Sequence, residues 1–155
     1  MAKRKSLADA PCPVARALDA VGERWSLLIV RDAFDGVRRF SEFQASMGVA
    51  RNILADRLRL LVEAGVLRTE PASDGSAYSE YVLTPRGEAL FPVIVTLRQW
   101  GEAELYRPGE AHSRLVDRRS GRALTRKVAL RFEDGQPLRA QDTVVKKLPV
   151  PATEP

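Results

Sequence analysis

A chain of 155 residues is long enough for one domain with a hydrophobic core and a small appendage. It is 45% hydrophobic and 29% charged, and no apolar run approaches the 18 residues of a membrane span, so we expect a globular protein without a membrane partner. One cysteine and one histidine exclude a disulfide framework within the chain and a four-ligand zinc site, while the net charge of +5 is compatible with a nucleic-acid partner.

The positive charge is unevenly distributed along the chain. Residues 13–106 hold 11 Lys and Arg against 13 Asp and Glu, whereas residues 107–148 hold 11 against 5. Within the first of these stretches, residues 36–68 hold six arginines and three acids. Such a local excess is compatible with a nucleic-acid-binding surface, although a basic surface can also serve only to keep a protein in solution.

Two helices are predicted near the start of the chain. The first opens at Pro13 and ends at Gly22, and the second spans residues 24–34. Residues 1–11 precede them as a polar, flexible arm. Because no apolar segment follows its basic start, we expect no secretory signal and a cytoplasmic location.

The next segment predicts a helix-turn-helix. Ser41, with Gln44 three residues later, fits a capping box, and the short helix that it opens ends at Gly48. A second helix is expected over residues 50–64. Its apolar stripe consists of Leu54, Leu58 and Leu61. Two helices joined by a short turn that contains glycine form the helix-turn-helix unit.

A β-hairpin is predicted directly after this unit, where it would form a wing. Residues 66–70 and 78–83 have the pattern of strands, and residues 71–76 form a turn-rich loop between them. Thr84 as N-cap and Pro85 at the first helical position then start a last helix, which Pro92 should kink or restart.

The remainder of the chain predicts a small antiparallel β module. Residues 128–132 alternate between apolar and other residues, and a further strand is possible near residues 143–145. The predicted fold class is mostly α with a small β-hairpin wing, plus this module. The predicted organisation is a flexible arm (1–11), a winged helix-turn-helix domain for DNA binding and dimerisation (12–106), a β-rich module (107–148) and a tail (149–155).

Taken in order, these segments resemble the HxlR-type family of winged helix-turn-helix regulators, a branch of the MarR-like group. The residues that carry the resemblance are 12–14 (CPV), 22–25 (GERW), 39–43 (RFSEF), 51–54 (RNIL), Leu58, 65–67 (GVL) and 81–87 (YVLTPRG). The resemblance implies a homodimer with the first and last helices of the core at its interface. It also implies binding of double-stranded DNA through residues 50–59 and the wing.

The chain departs from the family pattern at two places. The family commonly has Ser or Thr where Ala50 stands, so the N-cap of the second helix is weaker or displaced here. Some members carry Cys-Gly pairs that look metal-binding in a C-terminal extension, and the counterparts here are Ser120-Gly121 and Asp134-Gly135. We therefore expect neither a metal nor another cofactor.

Arg51 and Asn52 are the candidate base-reading residues. Both lie at the start of the second helix, and Arg pairs with guanine as Asn does with adenine. A solvated helix end is the alternative interpretation. Arg57 and Arg59 are candidates for phosphate contacts or for intramolecular pairing.

Further candidate DNA contacts lie outside this helix. Arg38 and Arg39 precede the first helix of the unit, near the position of the DNA backbone in this motif, and a solvated turn is the alternative. The remaining candidates are Ser41, Ala50, and the wing residues Ser76 and Tyr78. The alternative for the two wing residues is an ordinary hydrophilic hairpin tip that does not contact DNA.

Cys12 is a candidate redox or electrophile sensor. A helix N-terminus favours the thiolate, and some regulators of the resembled family use a cysteine at this motif. The alternative is a small residue buried under the first helix. The candidate dimer interface consists of Val14, Leu18, Leu97 and Trp100.

We find no paired acids, no nucleophile with a base and no phosphate-binding loop, so we expect no enzyme. The predicted function is a sequence-specific DNA-binding transcriptional regulator, a repressor that acts as a homodimer on a palindromic operator. It would respond to a redox signal or to an unknown small-molecule effector. The alternative is a winged-helix module that binds proteins and not DNA.

Overall fold

The structure is a computed structural model that describes residues 6–124 and 127–148. Its elements are α1 (Pro13–Val21), α2 (Arg24–Phe34), α3 (Phe40–Met47), α4 (Arg51–Glu63), β1 (Leu67–Pro71), β2 (Ser79–Leu83), α5 (Pro85–Glu88), α6 (Phe91–Glu104) and a turn of 3-10 helix at Ala140–Asp142. The predicted tail (149–155) and the first five residues of the predicted arm lie outside the described residues.

The chain divides into two compact units between Val95 and Thr96, within α6. The domain boundary predicted after residue 106 stays a prediction. In the first unit, Ser6 and Leu7 of the predicted arm donate hydrogen bonds to the Asp19 carboxylate of α1, at 3.1 and 2.9 Å.

The core of the first unit is formed mainly by α2, α3 and α4. The largest fully buried side chains are Ile29 and Val30 of α2, Phe43 of α3, Leu54, Leu58 and Leu61 of α4, and Leu67 of β1. The three leucines of α4 are those of the predicted stripe. Three packed helices followed by a two-stranded hairpin confirm the predicted winged helix-turn-helix fold.

The boundaries of the first two helices agree with the sequence prediction. Pro13 occupies the first position of α1, where its missing N–H would have no helical partner. Gly22 ends the helix, and a Cβ at this position would lie 2.4 Å from the Leu18 carbonyl oxygen. Close packing therefore requires glycine there.

The predicted cap of α3 is wrong. The helix begins at Phe40, with Arg39 as N-cap, so Ser41 lies in the first turn. The Glu42 carboxylate accepts hydrogen bonds from the backbone N–H groups of Arg38 and Arg39, at 3.1 and 2.9 Å. A charged carboxylate is a stronger acceptor than the Gln44 amide that the predicted box would use, and it also favours the positive end of the helix dipole.

The wing and the segment after it form as predicted. Strands β1 and β2 pair antiparallel, with Leu67 opposite Leu83 and Pro71 opposite Ser79. Thr84 caps α5 by accepting a hydrogen bond from the Gly87 N–H at 3.1 Å, and its own hydroxyl donates to the Gly65 carbonyl. Helix α5 then ends and α6 restarts at Phe91, next to Pro92.

The described part of the second unit contains less β structure than the sequence predicts. Two isolated antiparallel bridges, between Val116 and Ala123 and between Arg131 and Pro137, replace the expected strands, and residues 143–145 form no strand in the described part of the chain. Leu130 and Phe132 are 63% and 43% exposed, so the alternating pattern has no core to lie against. Pro137 also lacks the N–H that a continuing ladder would need.

Candidate nucleic-acid interface

Helix α4 has one buried and one exposed face. Its leucine stripe is enclosed, whereas Arg51 and Asn52 in the first turn and Arg59 two turns later are exposed. Ile53, half-exposed beside them, adds an apolar side chain that sequence reasoning did not single out. A helix held in this way can enter the major groove with its first turn towards the base edges.

The turn between α3 and α4 sets where the second helix starts. Gly48 has φ 60° and ψ 22°, and its N–H donates to the Gln44 carbonyl at 2.9 Å. The next residue, Val49, is buried, and Ala50 is the N-cap of α4. Because an alanine side chain accepts no hydrogen bond, the N–H groups of the first turn are left to solvent or to a phosphate oxygen.

The two candidate base readers have different surroundings. The Arg51 guanidinium lies over the Phe40 ring, with 4.9 Å between its Cζ and the ring centroid. Asn52 is exposed, and within the described parts of the chain its amide makes no side-chain hydrogen bond. Phe40 therefore restricts the orientation of Arg51, whereas the Asn52 amide has both its donor and its acceptor available.

Arg59 and Arg57 have intramolecular partners. Arg59 donates to Asp56 at 2.8 Å and to Glu63 at 2.6 Å, at helical spacings of three and four residues. These bonds raise the pKa of the Arg59 guanidinium, the Asp56 bond being the larger cause. Arg57 is half-buried, with 3.6 Å between its Nη1 and Asp56. Both arginines therefore pair with acids of their own helix in the single chain, and a phosphate contact stays a prediction.

Arg38 and Arg39 connect the start of α3 to the wing. The Arg39 guanidinium binds Asp74 in the wing loop and lies 3.6 Å from Glu80 on β2. Arg38 lies 3.6 Å from the other oxygen of Glu80, and its carbonyl accepts from the Tyr81 N–H at 2.8 Å. These four side chains, Arg38, Arg39, Asp74 and Glu80, are called the wing clasp below.

The two acids of the wing clasp differ in burial. The Glu80 side chain is 5% exposed and accepts a hydrogen bond from the Ser73 hydroxyl at 3.0 Å, whereas the Asp74 side chain is 52% exposed. Sequence reasoning singled out neither of these two acids. The sequence feature that could have indicated them is the adjacent pair Arg38 and Arg39. If these arginines are not solvated, their side chains need acidic partners.

The carboxylates of Glu42, Asp74 and Glu80 are favoured in the charged form. Burial opposes the ionisation of Glu80, but the Ser73 hydrogen bonds and the nearby arginines outweigh it and lower its pKa. The hydrogen bond from Arg39 holds the pKa of Asp74 far below its usual range and raises that of Arg39 itself. Backbone hydrogen bonds from Arg39 and Arg38 lower the pKa of Glu42.

The predicted DNA-contact residues of the wing loop and of α3 differ in exposure. Tyr78 is 71% exposed and projects from the hairpin. Ser76 is half-buried, and its N–H donates to the Asp74 carboxylate at 3.0 Å. Ser41, in the first turn of α3, is exposed. The side chains of Tyr78 and Ser41 are therefore accessible to DNA, whereas Ser76 is partly enclosed and holds the wing loop through its hydrogen bond to Asp74.

The predicted sensor and interface residues are accessible in the single chain. Cys12 is the N-cap of α1 and is exposed, so the alternative of a cysteine packed under this helix does not apply to the single chain. Val14 and Leu18 on α1 are 67% and 52% exposed, and Leu97 and Trp100 on α6 are 49% and 58% exposed.

Neither a metal centre nor a membrane span occurs among residues 6–124 and 127–148. No group of three or more His, Cys, Asp or Glu side chains there could hold a metal ion. No helix in the same residues is long and apolar enough to cross a membrane.

Comparison with known proteins places the chain in a family. Residues 20–108 match a family described as HxlR-like helix-turn-helix. An uncharacterized HTH-type transcriptional regulator of Mycobacterium tuberculosis, Rv3095, is 50% identical over 95 residues, which are 61% of this chain. The chain spans about 60% of the length of that curated relative.

Solved structures extend the likeness. The crystal structure of PA1607, described as a candidate transcription factor, has 54% sequence identity and a TM-score of 0.85, and covers 92% of this chain and 99% of that one. The redox regulator HypR in its reduced form has 28% identity and a TM-score of 0.55, and covers 61% of this chain and 94% of that one.

Proposed function

The chain belongs to the HxlR-like helix-turn-helix family, and we propose that it is a transcriptional regulator that binds double-stranded DNA in the cytoplasm. The observation that carries the proposal is the exposed first turn of α4, which presents Arg51 and Asn52 beside a basic α3 start and a wing. The names of the related proteins support the same function.

Within this function, Arg51 and Asn52 read bases in the major groove, with Arg51 directed to guanine and Asn52 to adenine. Arg38 and Arg39 contact phosphates, together with Ser41 and the N–H groups after Ala50. Tyr78 touches the backbone or the minor groove from the wing, and Ser76 supports it. Arg57 and Arg59 act secondarily, because their acidic partners on α4 offset their charge.

The protein acts as a homodimer on a palindromic operator. Val14 and Leu18 on α1, and Leu97 and Trp100 on α6, are large apolar side chains about half or more exposed in the single chain, and such residues are typical of surfaces that a partner covers. A two-fold dimer would present two α4 helices to half-sites about one helical turn apart. Bound there, it would act as a repressor by covering the promoter.

The regulator responds to a redox signal or a small molecule. Cys12 is exposed at the start of α1, next to the predicted interface, and a related solved structure is that of a redox regulator. An oxidant would take two electrons and two protons from two thiols and form a disulfide between Cys12 of each copy. That bond would change the angle between the two α4 helices.

The experiment starts from the purified full chain and a randomised duplex library. Repeated selection should enrich a palindromic motif, and affinity for it should fall steeply with salt because phosphate contacts release counterions. The alternative function, a winged helix that binds only proteins, predicts no enrichment and no salt-sensitive binding. In vitro transcription from a promoter with the selected motif then tests repression.

A further inference from the structure

The wing clasp holds Arg39 between one buried and one exposed carboxylate. Glu80 is almost fully buried and lies 3.6 Å from the Arg39 Nε, while Asp74 is half-exposed and binds the outer Nη2. The Arg39 side chain itself is 32% exposed. One side of the guanidinium therefore faces the protein and the other faces an acid on the surface.

The outer position is one that a DNA phosphate could take. A guanidinium binds the oxygens of a carboxylate and of a phosphate with the same N–H groups and at similar distances. In this motif the DNA backbone passes the start of the first helix, which is where Arg39 lies as the N-cap of α3. A phosphate at Arg39 and the Asp74 carboxylate would compete for the same donors and repel each other.

We propose that Asp74 is an internal phosphate surrogate, which occupies Arg39 in the free protein and must release it when DNA binds. Glu80 keeps its position and continues to orient Arg39. Asp74 therefore weakens binding to every duplex and suppresses attachment to non-operator DNA. This inference rests on the proposed function, because it requires that the protein bind DNA.

The opposite interpretation makes Asp74 a positioning residue. In that case the Arg39–Asp74 pair persists in the complex and holds the wing in place for binding. The two interpretations predict opposite effects on DNA affinity. Removal of the Asp74 charge strengthens DNA binding if Asp74 is a phosphate surrogate and weakens it if Asp74 is a positioning residue.

The test measures the affinity of the full chain for a random-sequence duplex of about 30 base pairs, which spans two half-sites. Four proteins form the cycle: wild type, Asp74→Asn, Arg39→Gln and the double variant. We expect Asp74→Asn to bind about two- to fivefold more tightly, the range that loss of an exposed ion pair allows. Arg39→Gln should bind more weakly and lower the salt slope by about one.

The double variant separates the surrogate from a general charge effect. Removing any acid near DNA strengthens binding somewhat, and that part of the effect should survive in the Arg39→Gln background. We expect most of the gain from Asp74→Asn to disappear there. Weaker or unchanged binding by Asp74→Asn, or an equal gain in both backgrounds, would overturn the proposal.

Two controls complete the experiment. Glu80→Gln, which removes the charge on the buried side of Arg39, should weaken binding, opposite to Asp74→Asn. Far-ultraviolet circular dichroism should show the same helix content in Asp74→Asn as in wild type, since Asp74 lies in an exposed loop. A wild-type chain that binds no duplex at all would overturn the proposed function first, and this inference with it.

Discussion

The Arg51 guanidinium lies over the Phe40 ring, with 4.9 Å between its Cζ and the ring centroid. The contact joins the first residue of α4 to the first residue of α3 across the turn. A long flexible side chain at the end of a recognition helix loses rotamer entropy when it binds a base, and an aromatic surface that holds it in advance reduces that loss.

Phe40→Leu should therefore weaken specific binding without abolishing it. A cation–π contact at an exposed site contributes about 0.5–1 kcal/mol, so we expect about two- to fivefold lower affinity for the selected operator. Fluorescence anisotropy on operator and random duplexes provides the measurement. An equal loss on both duplexes would contradict a role through Arg51 and would indicate a general loss of stability.

Arg51→Ala should relax sequence preference at one base pair and cost roughly 1–3 kcal/mol on the operator. Arg59→Ala is the matched control, because it removes an arginine from the same helix that is already paired with Asp56 and Glu63. We expect little change in the selected motif for that variant. Repeating the selection with each protein compares them, and an unchanged motif for Arg51→Ala would show that the residue does not read bases.

Leu18→Glu should convert the dimer into monomers. The substitution places a charge in the apolar surface that the proposed interface would bury, and an unpaired buried charge is strongly unfavourable. Light scattering at micromolar concentration measures the mass of the wild type and the variant. Leu130→Glu is a matched change at another exposed leucine, outside the proposed interface. A wild-type monomer would contradict the dimer directly.

Acid should destabilise the protein through the wing clasp. The pKa values of Asp74 and Glu80 are lowered in the folded chain, so the unfolded chain binds more protons in acid. The stabilisation is complete above the ordinary carboxylate pKa of about 4 and is lost as the pH falls below it. Urea unfolding between pH 6 and about pH 3 should show a smaller loss of unfolding free energy for Glu80→Gln than for wild type. Identical pH dependence would disprove the contribution of Glu80.

Oxidation should change operator affinity through Cys12. After diamide treatment we expect a disulfide-linked dimer on a non-reducing gel, and a change in affinity that dithiothreitol reverses. Cys12→Ser is the matched control and should show neither effect. An equal response in both proteins, or in neither, would exclude the sensor.

The helices were predictable where local chemistry determines them. Pro13 and Gly22 delimit α1, and the leucine stripe lies within α4. Each feature depends on a single helix, so its position could be inferred from spacing alone. Glu80 could not be inferred in this way, because its burial depends on Arg38 and Arg39, about 40 positions earlier, and on the fold of the wing loop. Nothing in the local sequence around Glu80 marks these tertiary contacts.

After residue 107 the error runs the other way, because the sequence predicts strands that residues 107–124 and 127–148 do not form. Their alternation predicts pairing, but strand pairing needs an apolar face to cover, and the described residues there have large apolar side chains that stay exposed, such as Leu130. Among the site residues, Arg51 and Asn52 were found because position on a helix defines their role. The Asp74 contact of Arg39 joins two loops and leaves no periodic signal.

The junction at Thr84 and Gly87 limits how DNA preference could be re-engineered. Thr84 binds the Gly65 carbonyl after α4, and a Cβ at Gly87 would lie 2.2 Å from the Val66 carbonyl oxygen. Together with the wing clasp, these contacts join the two ends of the helix-turn-helix to the wing and to the residues after it. A chimera that exchanges only residues 38–71 would set foreign neighbours at every one of these contacts, so the transplantable specificity cassette is residues 38–87 as a whole.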